Sequence, residues 1–237
     1  MRRMSLTPRR GGPPPALAVA SLAIALASCA CPRARLAEPI GQMKSLPITF
    51  EENRIRIPLT VQGVESIFLL DTGYSVSLLT PELARRAGLE PGGSVLVPTP
   101  GGNNSTRRCS IRQLEVAGAR IEDVPAVLGP RADPREGGIL GWDVLCLHPW
   151  VLDLRHKTFR WVERLEVSED DWVIPLRERD CAPSLTLTIE GRDYECMFDT
   201  GFSGSLSVAR WAELPLEVVS GPVKFTDSFG NVTVSYT

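Results

Sequence analysis

Histidine is nearly missing from this chain: there are two in 237 residues, His148 and His156. A serine–histidine–carboxylate triad therefore has little to draw on, even though Ser75, Ser77, Ser203 and Ser205 recur in suggestive places. A metal centre built from Cys146, His148 and His156 would match no zinc-ligand spacing, and no metal is expected. A basic stripe is missing too. Residues 1–28 hold four of the 26 basic residues and none of the 28 acidic ones, so the remainder carries a formal charge of −6. That balance argues against nucleic acid as a partner. No uncharged apolar run reaches the length needed to cross a bilayer, since the run Ala16–Ala27 spans only 12 residues. Long helical periodicities are also absent while Gly and Pro are plentiful, which predicts a mainly β chain.

What the N-terminus does contain looks like an address. Arg2, Arg3, Arg9 and Arg10 precede Pro13–Pro15 and the short apolar run, the layout of a secretory leader. Leu26-Ala27-Ser28-Cys29 resembles the lipobox of bacterial lipoproteins, which implies lipidation at Cys29 and anchoring by more than one acyl chain. Simple cleavage nearby, after Ala30, is the alternative. Residues 1–28 are thus expected to be a signal peptide and 29–46 a tether, with the protein exported to the cell envelope. In that oxidising setting Cys109, Cys146, Cys181 and Cys196 allow three pairings, and Cys181 with Cys196 is the local candidate.

The strongest positive feature is a duplication. Asp71-Thr72-Gly73 and Asp199-Thr200-Gly201 stand at an offset of 128 residues, and their surroundings repeat at the same offset. Leu59-Thr60-Val61-Gln62-Gly63 answers to Leu187-Thr188-Ile189-Glu190-Gly191, Ser75 to Ser203, and Gly102-Asn103 to Gly230-Asn231. A fixed-offset repeat governs the fold before any local feature does. It predicts two lobes, residues 47–163 and 172–237, joined by an acidic linker.

Local patterns fill in the first lobe. Ile55, Ile57, Leu59 and Val61 alternate with other residues as in a half-buried strand, and Gly63 marks the turn. Ile67–Leu70 is a short apolar strand that delivers Asp71. Thr80 as N-cap, Pro81 at the first helical position, Glu82 and then Gly88 delimit a helix. The Gly-, Asn- and Ser-rich stretch 98–108 predicts an exposed hairpin. The tryptophans are expected to pack the core and its rim.

An apolar strand ending in Asp places a carboxylate at the tip of a rigid element, where its pKa can be tuned. The Gly two positions on permits a close approach that a Cβ would forbid. If the two loops meet across a pseudo-twofold axis, Asp71 and Asp199 share one proton, one acting as base and the other as acid towards a water and a carbonyl.

These residues resemble the pepsin and retropepsin superfamily of aspartic proteases, over about residues 47–237. The resemblance implies a bilobal acid-protease β-barrel fold and peptide hydrolysis without a cofactor. It implies an Asp71/Asp199 dyad, a hydrogen-bonded grip between Thr72 and Thr200, and loops shaped by Gly73 and Gly201. Ser75 and Ser203 would support the outer carboxylate oxygens. Flaps would form at Gly101, Gly102 and Asn103 and at Gly230 and Asn231, and Ile139-Leu140-Gly141 would pack behind the first loop. The second repeat ends before its counterpart of Ile139-Leu140-Gly141, so an incomplete, C-terminally truncated second lobe is expected. Two other readings stay open at this point. One is a catalytically inactive fold that binds peptides or proteins at the envelope; the other is a homodimer through lobe one in place of a single-chain monomer.

Overall fold

The computed structural model describes residues 34–37, 44–99, 102–131, 133–169, 171, 173–189 and 191–202, with the backbone of three further strands at Ser21–Ile24, Val223–Thr226 and Val232–Ser235. Expectations that fall on Cys29, Gly101, Ser203, Gly230 and Asn231 lie outside the described residues. The architecture is mainly β.

The first lobe begins with the hairpin of β1 (Arg54–Val61) and β2 (Val64–Leu70). Its two-residue turn has positive φ at both Gln62 (50°) and Gly63 (80°), the geometry that matches strand twist. β3 (Ser77–Leu79) follows the first Asp-Thr-Gly loop, and α1 (Pro81–Arg86) follows β3. Thr80 Oγ1 accepts the Leu83 N–H at 3.2 Å, and Gly88 leaves the helix at φ +63°. The hairpin of β4 (Ser94–Thr99) and β5 (Gly102–Val116) extends beyond the sheet, with Gly102 and Asn103 exposed near its tip. β6 (Ala119–Leu128), β7 (Glu136–Leu140) and α2 (Trp142–Leu145) complete the lobe.

Pairing runs β6–β3–β7–β2–β1–β5–β4, and β5 also pairs β6, which brings the two ends of the order together. β7 lies parallel to β2, with Leu140 opposite Leu70, and the Leu140 carbonyl accepts the Asp71 N–H at 3.1 Å. Alternation along β2 separates two cores. Phe68 and Leu70 join the main cluster with Ile57, Leu79, Leu140 and Trp142. Leu69 faces the other way, with Leu78, Val127 and Ile139, and Tyr74, Val76, Val95 and Val97 pack onto that second patch. The loop after Asp71 and strand β4 of the projecting hairpin therefore share one apolar support. Burial on both faces explains why β2 ends in an unbroken apolar run.

β8 (Trp150–Asp153) and β9 (Thr158–Trp161) form a second sheet, flanked by Leu46–Pro47 and by Ser21–Ile24, the latter within the segment read as a leader. Trp150, Phe159 and Trp161 pack ring against ring, at 5.7 and 5.1 Å between centroids. Both indole N–H groups are satisfied, by Leu145 O and Val116 O at 3.0 Å.

The second repeat contributes β10 (Arg177–Arg179), β11 (Ala182–Ile189) and β12 (Arg192–Met197) as an antiparallel sheet. The β11–β12 turn repeats the first hairpin, with Gly191 at φ +78°. One expectation is corrected here. Cys181 is disulfide-bonded, but Cys196, Cys109 and Cys146 form no disulfide, so the local Cys181–Cys196 pair does not form. Cys196 stands opposite Leu185 in the β11–β12 ladder, whereas Cys181 lies in the turn before β11.

Candidate active site

Each hairpin ends by driving an aspartate into a shared centre. β2 delivers Asp71, and β12 with Phe198 delivers Asp199, the Phe198 N–H being fixed to Pro183 O at 2.8 Å. The threonines cross-link the two loops with matching bonds. The Thr72 N–H donates to Thr200 Oγ1 at 3.1 Å and the Thr200 N–H to Thr72 Oγ1 at 3.0 Å. Each hydroxyl then donates to the carbonyl just before the opposite aspartate: Thr72 to Phe198 O at 2.6 Å, Thr200 to Leu70 O at 3.0 Å.

The glycines explain how closely the loops meet. A Cβ on Gly73 would lie 2.5 Å from the Cγ of Asp199, and one on Gly201 would overlap the carboxyl of Asp71. Neither glycine has positive φ, so what they supply is space rather than backbone freedom.

The two carboxylates are hydrogen-bonded to each other and differently supported. Asp71 Oδ1 accepts the Gly73 N–H at 2.9 Å. Asp199 Oδ1 accepts two, from Gly201 at 2.8 Å and Phe202 at 3.1 Å. Burial pushes the pKa of Asp71 well above the usual carboxylate range, and the charge of Asp199 and the hydrogen bond to it push the same way. Burial also raises Asp199, but the bond from Asp71 and the two backbone N–H groups oppose that rise. Both carboxyls are raised by burial, and the extra N–H bond to Asp199 favours the charge on that side of the pair.

Ser75 is exposed, and the Gly73 N–H holds Oδ1 of Asp71. His148 and His156 belong to the region of β8 and β9, and His156 pairs with Asp153 at 2.7 Å. Among the described residues no cluster of metal-ligating side chains forms. A groove of about 750 Å³ bordered by Lys44, Ile67 and Arg120 contains neither aspartate.

Sequence reading missed two buried polar groupings around this centre. Arg56 reaches Glu136 at 2.9 Å and Asp133 at 3.0 Å, and Arg131 holds the other oxygen of Glu136. Ser77 and Asp143 are hydrogen-bonded at 2.8 Å behind the first loop. A charged residue interrupting an otherwise apolar strand, Arg56 between Ile55 and Ile57, was the one local signal for either.

Paired carboxylates on glycine-spaced, threonine-linked loops define the aspartic-protease class of site. Residues 57–144 match the family described as aspartyl protease. That match spans the first Asp-Thr-Gly loop and the strands around it, so this part of the chain is similar to aspartyl proteases. A solved structure of a retropepsin-like aspartic protease from Rickettsia conorii is similar at 19% identity, over 41% of this chain and 74% of that one, with a TM-score of 0.31. No curated protein matches the chain in sequence.

Proposed function

We propose that the chain is an aspartic endopeptidase of the cell envelope in which Asp71 and Asp199 activate water against a peptide carbonyl. The observation that carries this reading is the unequal, hydrogen-bonded carboxylate pair. Asp199, carrying the charge, takes a proton from water as its oxygen attacks the carbonyl carbon. Asp71 gives its proton to the carbonyl oxygen, which becomes a hydroxyl of the tetrahedral intermediate. Asp199, now protonated, delivers its proton to the amide nitrogen as the C–N bond breaks, and Asp71 recovers one from the collapsing hydroxyl. Gly73 and Gly201 let the carboxylates approach, Thr72 and Thr200 fix them, and the β4–β5 hairpin around Gly102 and Asn103 covers the substrate. No cofactor enters these steps.

The threonine bonds favour a single-chain dyad over a lobe-one homodimer, because Thr200 of the same chain fills the position a second copy of Thr72 would take. Lipidation of Cys29 would tether the enzyme to the membrane, and a disulfide at Cys181 is consistent with an oxidising compartment. No helix among the described residues is long and apolar enough to cross a membrane.

The test is cleavage of a peptide library by the purified chain between pH 3 and 8, beside Asp71→Asn and Asp199→Asn. Loss of at least about a hundredfold in both variants supports the dyad. Loss only in Asp71→Asn points to the homodimer, and a folded chain that binds peptides without turnover points to the inactive binding module. Palmitate incorporation abolished by Cys29→Ala supports the anchor.

A further inference from the structure

A carboxyl group lies buried directly behind the first catalytic loop with one oxygen bonded and the other bare. Asp143 is 2% exposed. Its Oδ1 accepts the Ser77 hydroxyl at 2.8 Å, while Oδ2 is buried with no hydrogen-bond partner among the described residues. Ser77 Oγ accepts the Gly141 N–H at 3.1 Å, and the next N–H, of Trp142, donates to Tyr74 O at 2.7 Å. Tyr74 directly follows Asp71-Thr72-Gly73. There is no slack in the arrangement: a Cβ on Gly141 would stand 2.7 Å from Tyr74 O and 2.9 Å from Asp143 Oδ1. Asp143, Ser77 and the Gly141–Trp142 backbone thus form a continuous linkage to the loop that carries Asp71.

Helix α2 packs on β3 and β6. β3 presents Ser77, Leu78 and Leu79, with no charge. β6 carries Arg120, Glu122 and Asp123, but its pairing with Ser77 is made by Ala126, and Arg120 and Glu122 face each other at 3.5 Å on the surface. On α2 itself Cys146 donates its thiol to the Asp143 carbonyl at 3.9 Å. Across the loop the titratable group is Asp71, occupied with Asp199. No cation among these faces Asp143, so a charge there would stand in a dry site uncompensated. Burial pushes its pKa up to about 7 against the Ser77 and backbone hydrogen bonds that favour the charge.

We propose that Asp143 is a positioning residue that seats the first catalytic loop only while uncharged, and that its ionisation, separately from the dyad, limits activity at high pH. Once charged, the bare oxygen is drawn towards water, and movement of Asp143 takes Ser77 and the Gly141–Trp142 backbone with it. The activity part of the proposal rests on the peptidase reading, whereas the linkage to stability does not.

The test compares wild type, Asp143→Asn, Asp143→Leu and Asp199→Asn between pH 4 and 8.5, by thermal unfolding and by peptide turnover. The folded-state pKa of Asp143 is raised, so its stabilising contribution is complete below the ordinary aspartate pKa and lost as pH rises towards 7. Wild-type Tm should fall over that window. Asp143→Asn should remove the Asp143 share of the fall, leaving the part due to Asp71 and standing about 5 °C or more above wild type at pH 7.5. Asp199→Asn, lacking the dyad, should keep it. In turnover, Asn should carry the alkaline limb upward, giving a ratio of pH 7.5 to pH 5 rates about tenfold above wild type. Leu offers Ser77 no acceptor and should lower kcat at pH 5 where Asn does not, a split that a purely structural role would not produce. Identical Tm profiles in wild type and Asp143→Asn, or an alkaline limb that stays in place, overturn the proposal. Tm curves that separate in a chain without turnover support the Asp143 linkage and reject the peptidase reading.

Discussion

Thr72 and Thr200 each bond the other's backbone and the carbonyl preceding the other's aspartate, so two residues 128 positions apart satisfy four polar groups between them. The linkage is symmetric in bonding although the two lobes differ greatly in how fully their hairpins are buried. Phe68 and Leu70 of β2 are sealed, whereas Met197 of β12 is 57% exposed. The grip, together with the packing of Phe198 and Leu176 against the main apolar cluster, ties Asp199 to the first lobe.

Removing that grip should therefore uncouple the dyad. Thr200→Val keeps shape but strands the Thr72 N–H and the Leu70 carbonyl, a cost of about 1–3 kcal/mol for each buried group left unpaired. Thr200→Ser should retain most of the stability. Urea unfolding of the two variants, with turnover measured alongside, checks the contrast; equal loss in both would rule out a hydrogen-bonding role.

Gly73→Ala and Gly201→Ala should abolish turnover while leaving the first lobe folded. The new methyl would meet the opposing carboxylate inside van der Waals distance. Circular dichroism close to wild type with rates down at least about a hundredfold is the expected outcome, since displacement of about 1 Å at a reacting group costs that much.

The dyad itself predicts a pH signature. Asp71 has a raised folded-state pKa, so its contribution to stability is complete at low pH and lost as pH climbs through that value. Asp71→Asn should flatten this part of the Tm–pH curve. Besides the limb set by Asp143, turnover should show two dyad limbs, one as Asp199 ionises and one as Asp71 loses the shared proton, and these two should be absent from the residual rate of either Asn variant.

Glu136 is enclosed between Arg56 and Arg131. Glu136→Ala should destabilise the first lobe by about 3–5 kcal/mol, because Arg131 is left buried without its partner and Arg56 keeps only Asp133. Arg85→Ala, on the exposed Glu82 pair, should cost less than about 1 kcal/mol. Chemical denaturation of both variants measures the difference.

Thiol reactivity should rank by burial. Cys109 is pushed up to about 11 by its apolar surroundings, so at pH 8 only about one thiol in a thousand is the reactive thiolate. Cys196, only partly buried, should be modified first in the folded chain. Cys109 should react only on unfolding, as peptide mapping after brief alkylation would reveal.

Much of the scaffold was legible because its causes are local. Alternation at Ile55, Ile57, Leu59 and Val61 places the β1 strand, turn residues at Gly63 and Gly191 place two equivalent hairpins, and Thr80, Pro81 and Gly88 delimit α1. The repeated Asp-Thr-Gly was legible for another reason: a duplicated spacing is information that needs no partner. Arg56 with Glu136 and Ser77 with Asp143 were not legible, since each pair is joined across 66 to 80 residues by a fold the local pattern does not encode.

By itself the sequence determined that two aspartates stand in matching strand-to-loop settings, that the chain is mainly β, and that glycine at positions 73 and 201 leaves room beside each carboxylate. Only the tertiary structure decided how unequally the two carboxyls are supported. Asp199 gathers two backbone N–H bonds and Asp71 one, and that asymmetry arises from how each loop turns after its glycine. The tertiary structure likewise left Cys196 outside a disulfide and sealed Asp143 away from water. Such outcomes depend on which surfaces are brought together, and burial is a property of the assembled chain rather than of any stretch within it.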